Sequence, residues 1–282
     1  MNSIIESWDG YKWQVRSDYA WDTLVLYRRE FGVAEALLQL SGKDKTLADV
    51  GAHIGAYTVR MSKLYREVYA FEPNPETIQA LKANLVLNGV SNVRVFETAL
   101  GDSAGELELG LRQAGSTLTP LKVAHRVKVK VARMDDVLDR VDVVKVDVEG
   151  WEEQVLLGAS RIIKDIKPAW IIEHHGLIGP EYEPYVQGMK ERISKVLQGY
   201  ASLAVSGCHW VYVPEDADLR RFTYGIVKYW FNLTVENIKK RRGWFYGLPL
   251  TWWYGMDHHD FISELPEHVR DEPEWLRGAQ RT

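Results

Sequence analysis

A doubly wound α/β fold with a mainly parallel sheet and a reversed last strand is predicted by three features of the 282-residue sequence. Short apolar runs alternate with helical stretches from residue 46 to residue 198, the pattern of strands joined by crossover helices that cover both faces of one sheet. The series opens on a strand that runs into a two-glycine turn, Gly51 to Gly55, and then a helix. It closes on Ser206-Gly207 between two apolar runs, a hairpin signal that makes the final strand antiparallel.

Taken in order, residues 20–40 read as helix. Leu24, Tyr27, Phe31, Ala34, Leu37 and Leu38 recur at three- and four-residue spacing, and Gly42 can end the run. Thr46–Val50 is a strand, Tyr57–Leu64 a helix, Glu67–Phe71 a strand, and Glu76–Asn88 a helix with Gly89 as its stop. Val93–Thr98 is a strand. Residues 105–133 hold Glu106–Leu109 and Val127–Ala132, both strand-like with no helical pattern between them, so an antiparallel arm is expected there. Val141–Val148 is a strand, Glu152–Lys164 a helix, Trp170–Glu173 a strand and Tyr182–Gln198 a helix; Leu203–Val205 and His209–Val213 form the closing hairpin.

Composition narrows the function classes. The net charge of -4 argues against a nucleic-acid partner. Cys208 is the one cysteine, which rules out an intramolecular disulfide and a Cys-x-x-Cys zinc cluster. Met1–Trp8 carries Glu6 and no apolar run, so no signal peptide is expected, and no stretch of about 18 apolar residues occurs. A cytoplasmic location is the expectation. Of the 32 Trp, Tyr and Phe residues, 7 fall in residues 1–45, 12 in 46–214 and 13 in 215–282. The aromatic-rich flanks therefore read as additions to one catalytic domain: an N-terminal helical extension (1–45), a core (46–214) and a Trp/Tyr-rich C-terminal extension (215–282).

Five loops at strand ends carry the chemistry. In Asp49-Val50-Gly51-Ala52-His53-Ile54-Gly55, Gly51 permits close approach of the backbone to a ligand, and the following helix offers free N–H groups. The G-x-x-x-G spacing with a preceding acid is not the G-x-G-x-x-G of dinucleotide binders, and Asp49 would repel a pyrophosphate while suiting a positively charged amino-acid end. Glu72 ends the next strand, where a carboxylate accepts both ribose hydroxyls. Thr98 and Ala99 stand where backbone groups meet an adenine edge, and Asp102 either assists or forms an Asx turn. Strand alternation puts Lys145, Asp147 and Glu149 on one face; they are either a site at the strand end or a structural ion pair. Glu173 and His175 share a face, with His174 opposite. No H-E-x-x-H or comparable ligand spacing is present, so no metal is expected.

The ordered set Asp49–Gly55, Phe71–Pro75, Ala99–Asp102, Lys145–Gly150 with Glu152 and Gly158-Ala159, and Lys167-Pro168 before Glu173 resembles the FkbM-type family of S-adenosylmethionine-dependent methyltransferases. The resemblance covers about residues 46–214. It implies a seven-stranded, Rossmann-like sheet and methyl transfer from S-adenosylmethionine to a hydroxyl of a sugar, glycolipid or secondary metabolite. It implies that Asp49, Gly51, Ala52, His53, Gly55 and Thr58 hold the methionine end of the cofactor. Glu72, Pro73 and Asn74 border the ribose, Thr98, Ala99 and Asp102 the adenine, and Asp147 lies near the sulfonium. His53 and Trp151 depart from the family's usual residues and alter the pocket wall without removing a group the cofactor requires. Candidates for the base that takes the acceptor's proton are Asp147, Glu149, Glu173, His174 and His175. The alternative is a nucleotide-binding module of the same fold without methyl transfer, or an NAD-type enzyme.

Phe222, Tyr224, Trp230, Trp244, Trp252 and Trp253 stand among Lys239, Lys240, Arg241 and Arg242 in the C-terminal extension. Three readings stay open for this segment: packing on the sheet edge or on a second copy of the chain, recognition of a small-molecule or glycan acceptor by stacking, and weak contact with a membrane surface.

Overall fold

The computed structural model describes residues 3–7, 9–15, 31–111, 116–118, 125–174, 188–206, 208–215 and 217. The main sheet has seven strands: β3 (Gly42–Val50), β4 (Tyr65–Phe71), β5 (Val93–Phe96), β9 (Val143–Val146), β10 (Ala169–Glu173), β11 (Tyr200–Ser206) and β12 (His209–Pro214). Their order is β11-β12-β10-β9-β3-β4-β5. Strands β3, β4, β5, β9 and β10 pair in parallel, and β12 pairs antiparallel with both β10 and β11. This is the expected Rossmann-like sheet with its reversed last strand.

Strand alternation sorts side chains between two cores. Ala48, Val50, Phe71, Val144, Val146, Trp170, Ile172 and Tyr212 pack on one face, against α5 (Glu152–Leu157) and α6 (Met189–Val196). Leu47, Val68, Val143, Ile171 and Val211 pack on the other, against α1 (Phe31–Leu40) and α2 (Ala56–Met61). α3 (Pro75–Leu87) also covers this second face, through Leu81 and Leu85 near Ala70. Strand order reverses between β3 and β9, so the crevice at their carboxyl ends is the topological switch point where α/β sheets bind ligands.

The expected arm is present and larger than read from sequence. β7 (Gly105–Leu111) and β8 (His125–Ala132) pair antiparallel, and β6 (Ala99–Leu100) joins β8 in parallel to make a three-stranded sheet. The strand expected over Val93–Thr98 therefore stops at Phe96, because Ala99 and Leu100 belong to the arm.

Other boundaries shift for identifiable reasons. The helix expected over 152–164 breaks after Leu157, then continues as a π-helical turn, Ile162–Ile166. At the break, a Cβ on Gly158 would stand 1.9 Å from the Gly101 carbonyl oxygen, so this turn packs backbone to backbone against the third loop. The strand expected over 141–148 ends at Val146, since Glu149 (φ 55) and Gly150 (φ 95) take left-handed conformations that no strand accommodates. The helices expected over 20–40 and 182–198 are described only over Phe31–Leu40 and Met189–Val196, and nearly all of 215–282 lies outside the described residues.

The N-terminal extension, expected to be helical, needs correcting. It begins with a β-hairpin, β1 (Ser3–Glu6) and β2 (Lys12–Val15), turned at Asp9-Gly10, with helix described only at Phe31–Leu40. Asp-Gly between short apolar segments is a hairpin signal that the leucine periodicity downstream overshadows. Trp13 drives the docking: it is fully buried among Ile54, Val59, Leu81 and Leu85, and its indole N–H donates to Ser7 Oγ at 2.9 Å. The Gln14 N–H donates to Asn84 Oδ1 (2.6 Å), and Asn84 Nδ2 donates to the Ile54 carbonyl (2.8 Å), so the hairpin braces the first ligand loop through α3. Trp13→Ala is expected to cost about 3–5 kcal/mol of stability, checked by urea denaturation.

Candidate active site

The site begins where β3 ends. Gly51 (φ 83) takes a conformation that L side chains avoid, and a Cβ there would lie 1.8 Å from the Asp147 carbonyl oxygen. Only glycine lets the loops after β3 and β9 come this close. The Gly51 and Ala52 N–H groups both donate to the Phe71 carbonyl at 3.0 Å, joining this turn to β4 as well.

Beneath the turn lies a buried charge cluster. Asp49 is 1% exposed, and its Oδ2 accepts the Thr58 hydroxyl at 2.6 Å. Lys145 is also buried, with Nζ 3.1 Å from Asp147 Oδ2, 3.9 Å from Asp49 Oδ1 and 4.9 Å from the centre of the Tyr57 ring. Lys145 and Asp147 thus form the ion pair that was one of their two sequence readings, and the pair stands at the switch point. Burial raises the Asp49 carboxyl above its ordinary range, opposed by the Lys145 charge and the Thr58 hydrogen bond.

Glu72 closes the second side. Its Oε2 accepts the His53 N–H and its Oε1 the Asn74 N–H, both at 2.9 Å, so one carboxylate links the first two loops. Burial pushes its carboxyl up to about 7, against the lowering effect of those two backbone donors. A carboxylate offers about four acceptor positions, so two remain for ligand hydroxyls. Pro73 and Asn74 lead into α3; the Asn74 side chain caps that helix by accepting the Glu76 N–H at 3.0 Å and donates to Ser116 Oγ at 3.3 Å.

The third loop lies at the start of the arm. The Thr98 hydroxyl donates to the Lys130 carbonyl (3.0 Å), Ala99 is buried, and Asp102 is exposed, with its carboxylate accepting the Ser103 hydroxyl.

The fourth loop is held from two sides. Glu152, fully buried, accepts the Val148 and Gly150 N–H groups at 3.1 Å each. Thr117, at the tip of the arm, is also fully buried and donates to the Glu149 carbonyl at 2.6 Å. Sequence reasoning missed Thr117, for it stands 32 positions from its partner with no motif around it.

The base candidates separate. Asp147 is 24% exposed and stands at the crevice. His174 turns to the opposite face, where its Nε2 meets the Tyr212 hydroxyl at 3.0 Å and its ring stacks on that of Tyr212. The structure therefore does not bring His174 together with Asp147, as alternation along β10 dictates. His175 lies outside the described residues. Glu173 falls on the Asp147 side and contacts Cys208 and His209, which sequence reasoning also passed over because Glu173 belongs to another strand.

The donor set fits S-adenosylmethionine on observations of this molecule. Among the described residues, Asp49 and Asp147 flank Lys145, and Glu72 lies near enough for both acids to raise its carboxyl, an acid-rich setting that favours a ligand with a cationic end over a pyrophosphate. The Asp49 Oδ1 atom is buried and accepts no hydrogen bond from the described residues. No helix among the described residues is long and apolar enough to cross a membrane.

Residues 49–200 match the model of the methyltransferase FkbM domain. The chain is 31% identical over 145 residues to Methyltransferase 1 of Beauveria bassiana, covering 41% of this chain and 58% of that one. It is 29% identical over 160 residues to the hexuronic acid methyltransferase AglP of Haloferax volcanii, covering 55% of this chain and 66% of the relative. The chain thus spans about 58–66% of the length of these relatives. The solved FkbM methyltransferase of Methylobacillus flagellatus superposes with a TM-score of 0.45 at 19% identity, over 61% of this chain and 44% of that one. With the family model matched over more than half of its residues, the chain belongs to the FkbM methyltransferase domain family.

Proposed function

We propose that this protein is an S-adenosylmethionine-dependent O-methyltransferase whose acceptor is a hydroxyl of a small molecule or glycan. The observation that carries the proposal is the crevice between β3 and β9, where Gly51 lets the Asp147 backbone approach closely and, among the described residues, Asp49 and Asp147 flank Lys145. The kinship with a hexuronic acid methyltransferase supports a sugar-type acceptor. When bound, the cofactor supplies an activated methyl group.

The protein's own residues have three tasks. The glycine turn and Glu72 shape and orient: the turn brings the loops after β3 and β9 together, and the Glu72 carboxylate meets the hydroxyls of a nucleoside. Lys145 pairs with Asp147 at 3.1 Å and holds it at the crevice. Asp147 then accepts the proton that the acceptor hydroxyl must lose, a contribution of about 10²–10⁴-fold in rate. The protein acts in the cytoplasm on this reading, and the aromatic C-terminal extension recognises the acceptor.

Calorimetry with S-adenosylhomocysteine and with NAD tests the reading, and binding of NAD alone would sink it. Asp147→Ala is expected to abolish turnover, measured as mass-detected methyl gain on candidate glycans and lipids in cell extract. Wild-type cofactor binding with no product from any extract would favour the nucleotide-binding module instead.

A further inference from the structure

Beside the crevice, Glu173, Cys208 and His209 bring a carboxylate, a thiol and an imidazole together. One donor atom from each lies within 4.8 Å of the others. Cys208 Sγ is 3.0 Å from Glu173 Oε1 and 3.8 Å from His209 Nδ1, and His209 Nε2 is 3.5 Å from Glu173 Oε2. We propose that these three residues form a binding site for a zinc-class divalent cation.

The dimensions suit that ion. Zinc bonds of about 2.3 Å to sulfur and 2.0–2.2 Å to nitrogen and oxygen, in tetrahedral arrangement, put neighbouring ligand atoms roughly 3.4–3.6 Å apart. One donor atom from each residue lies within 4.8 Å of the others, so side-chain rotations that close the widest gap by about 1.2–1.4 Å reach that value. Thiolate, imidazole and carboxylate together select zinc over magnesium or calcium, which take oxygen ligands. Three protein ligands leave a fourth position for water or another oxygen donor. Binding takes Cys208 as its thiolate and releases the thiol proton.

The backbone holds the three residues in place before any ion arrives. Glu173 and His209 are paired across β10 and β12, and the His174 N–H donates to the Cys208 carbonyl at 2.7 Å. His209 is 3% exposed, while Glu173 and Cys208 are half-buried, so the site is sheltered yet open to entry. It is also placed at the chemistry. Val50, Val146 and Ile172 stand level across β3, β9 and β10. One residue further along come Gly51, Asp147 and Glu173, so Glu173 stands one strand over from Asp147, with Cys208 and His209 a strand further still.

The test uses the full chain, stripped of metal with a chelator and titrated with Co²⁺. Because Cys208 is the sequence's only cysteine, a thiolate-to-cobalt charge-transfer band has one source. Wild type is expected to develop that band at one equivalent per chain and to lose it on adding Zn²⁺. Cys208→Ser should lack the band, and His209→Gln and Glu173→Gln should each bind Co²⁺ at least about tenfold more weakly. A wild-type chain without the band overturns the proposal, as does an unweakened band in either the His209 or the Glu173 variant. None of these readouts depends on methyl transfer, so the site stands or falls apart from the proposed activity.

Discussion

Glu72→Gln is expected to bind S-adenosylhomocysteine roughly 100-fold more weakly than wild type, and to remove a pH dependence of stability that wild type displays. Affinity falls because two ribose hydroxyls lose a charged acceptor, each such bond contributing about 1.5–3 kcal/mol. The pH effect follows from burial. The folded carboxyl is pushed up to about 7 from an ordinary 4.5. Across that window the folded state holds the proton more firmly than the unfolded chain, so stability declines as pH rises from about 4.5 through 7, by about 3 kcal/mol at most. Glutamine does not titrate, so the variant lacks this slope. Urea denaturation of both proteins between pH 4.5 and 8 reads the difference; parallel curves would remove the argument. Ligand hydroxyls favour the ionised form, so wild-type cofactor affinity should also weaken below about pH 7, up to tenfold per unit.

Lys145→Met should be the most damaging single change in the core, costing about 3–5 kcal/mol. The variant keeps the hydrophobic stem but leaves Asp49 buried without a cation and deprives Asp147 of its 3.1 Å partner. Burial already raises the Asp49 carboxyl, and losing Lys145 leaves that effect unopposed. A raised folded pKa means stability is lost as pH climbs past the unfolded value, so the defect should be larger at pH 8 than at pH 5. Adding Asp49→Asn should recover part of it, since the second buried charge is then gone. Denaturation midpoints of the single and double variants decide the matter; equal midpoints would show that Asp49 is not the group stranded.

Much of this was legible in the sequence, for reasons that differ by element. The parallel strands could be read because β9 and β10 carry Val/Ile pairs and β3 and β4 end in apolar runs, each bounded by glycine or charge. The reversed strand could be read because Ser206-Gly207 sits between two such runs. Gly51, Glu72 and Asp147 stood out as a backbone that must bend or an acid at a strand end. What could not be read are pairings between distant segments that no local pattern encodes. The Asp9-Gly10 hairpin was hidden by the leucines that follow it, and the break after Leu157 depends on a neighbour, Gly101, in another loop. The opposition of His174 to Asp147 was implicit in strand alternation, and only the Tyr212 contact reveals where that ring goes instead.

The arm has a mechanical consequence. β6 within it carries the third loop, Ser116 near its tip holds Asn74 of the second, and Thr117 holds the carbonyl of Glu149 in the fourth. One small sheet thus acts as a yoke on three of the four loops that line the crevice, none of whose arm strands belongs to the main sheet. A force on the arm is shared among the three loops at once, so they shift as a set rather than singly. The seven strands decide where each loop begins, while the arm decides how far apart the loops stand, and hence how wide the crevice is.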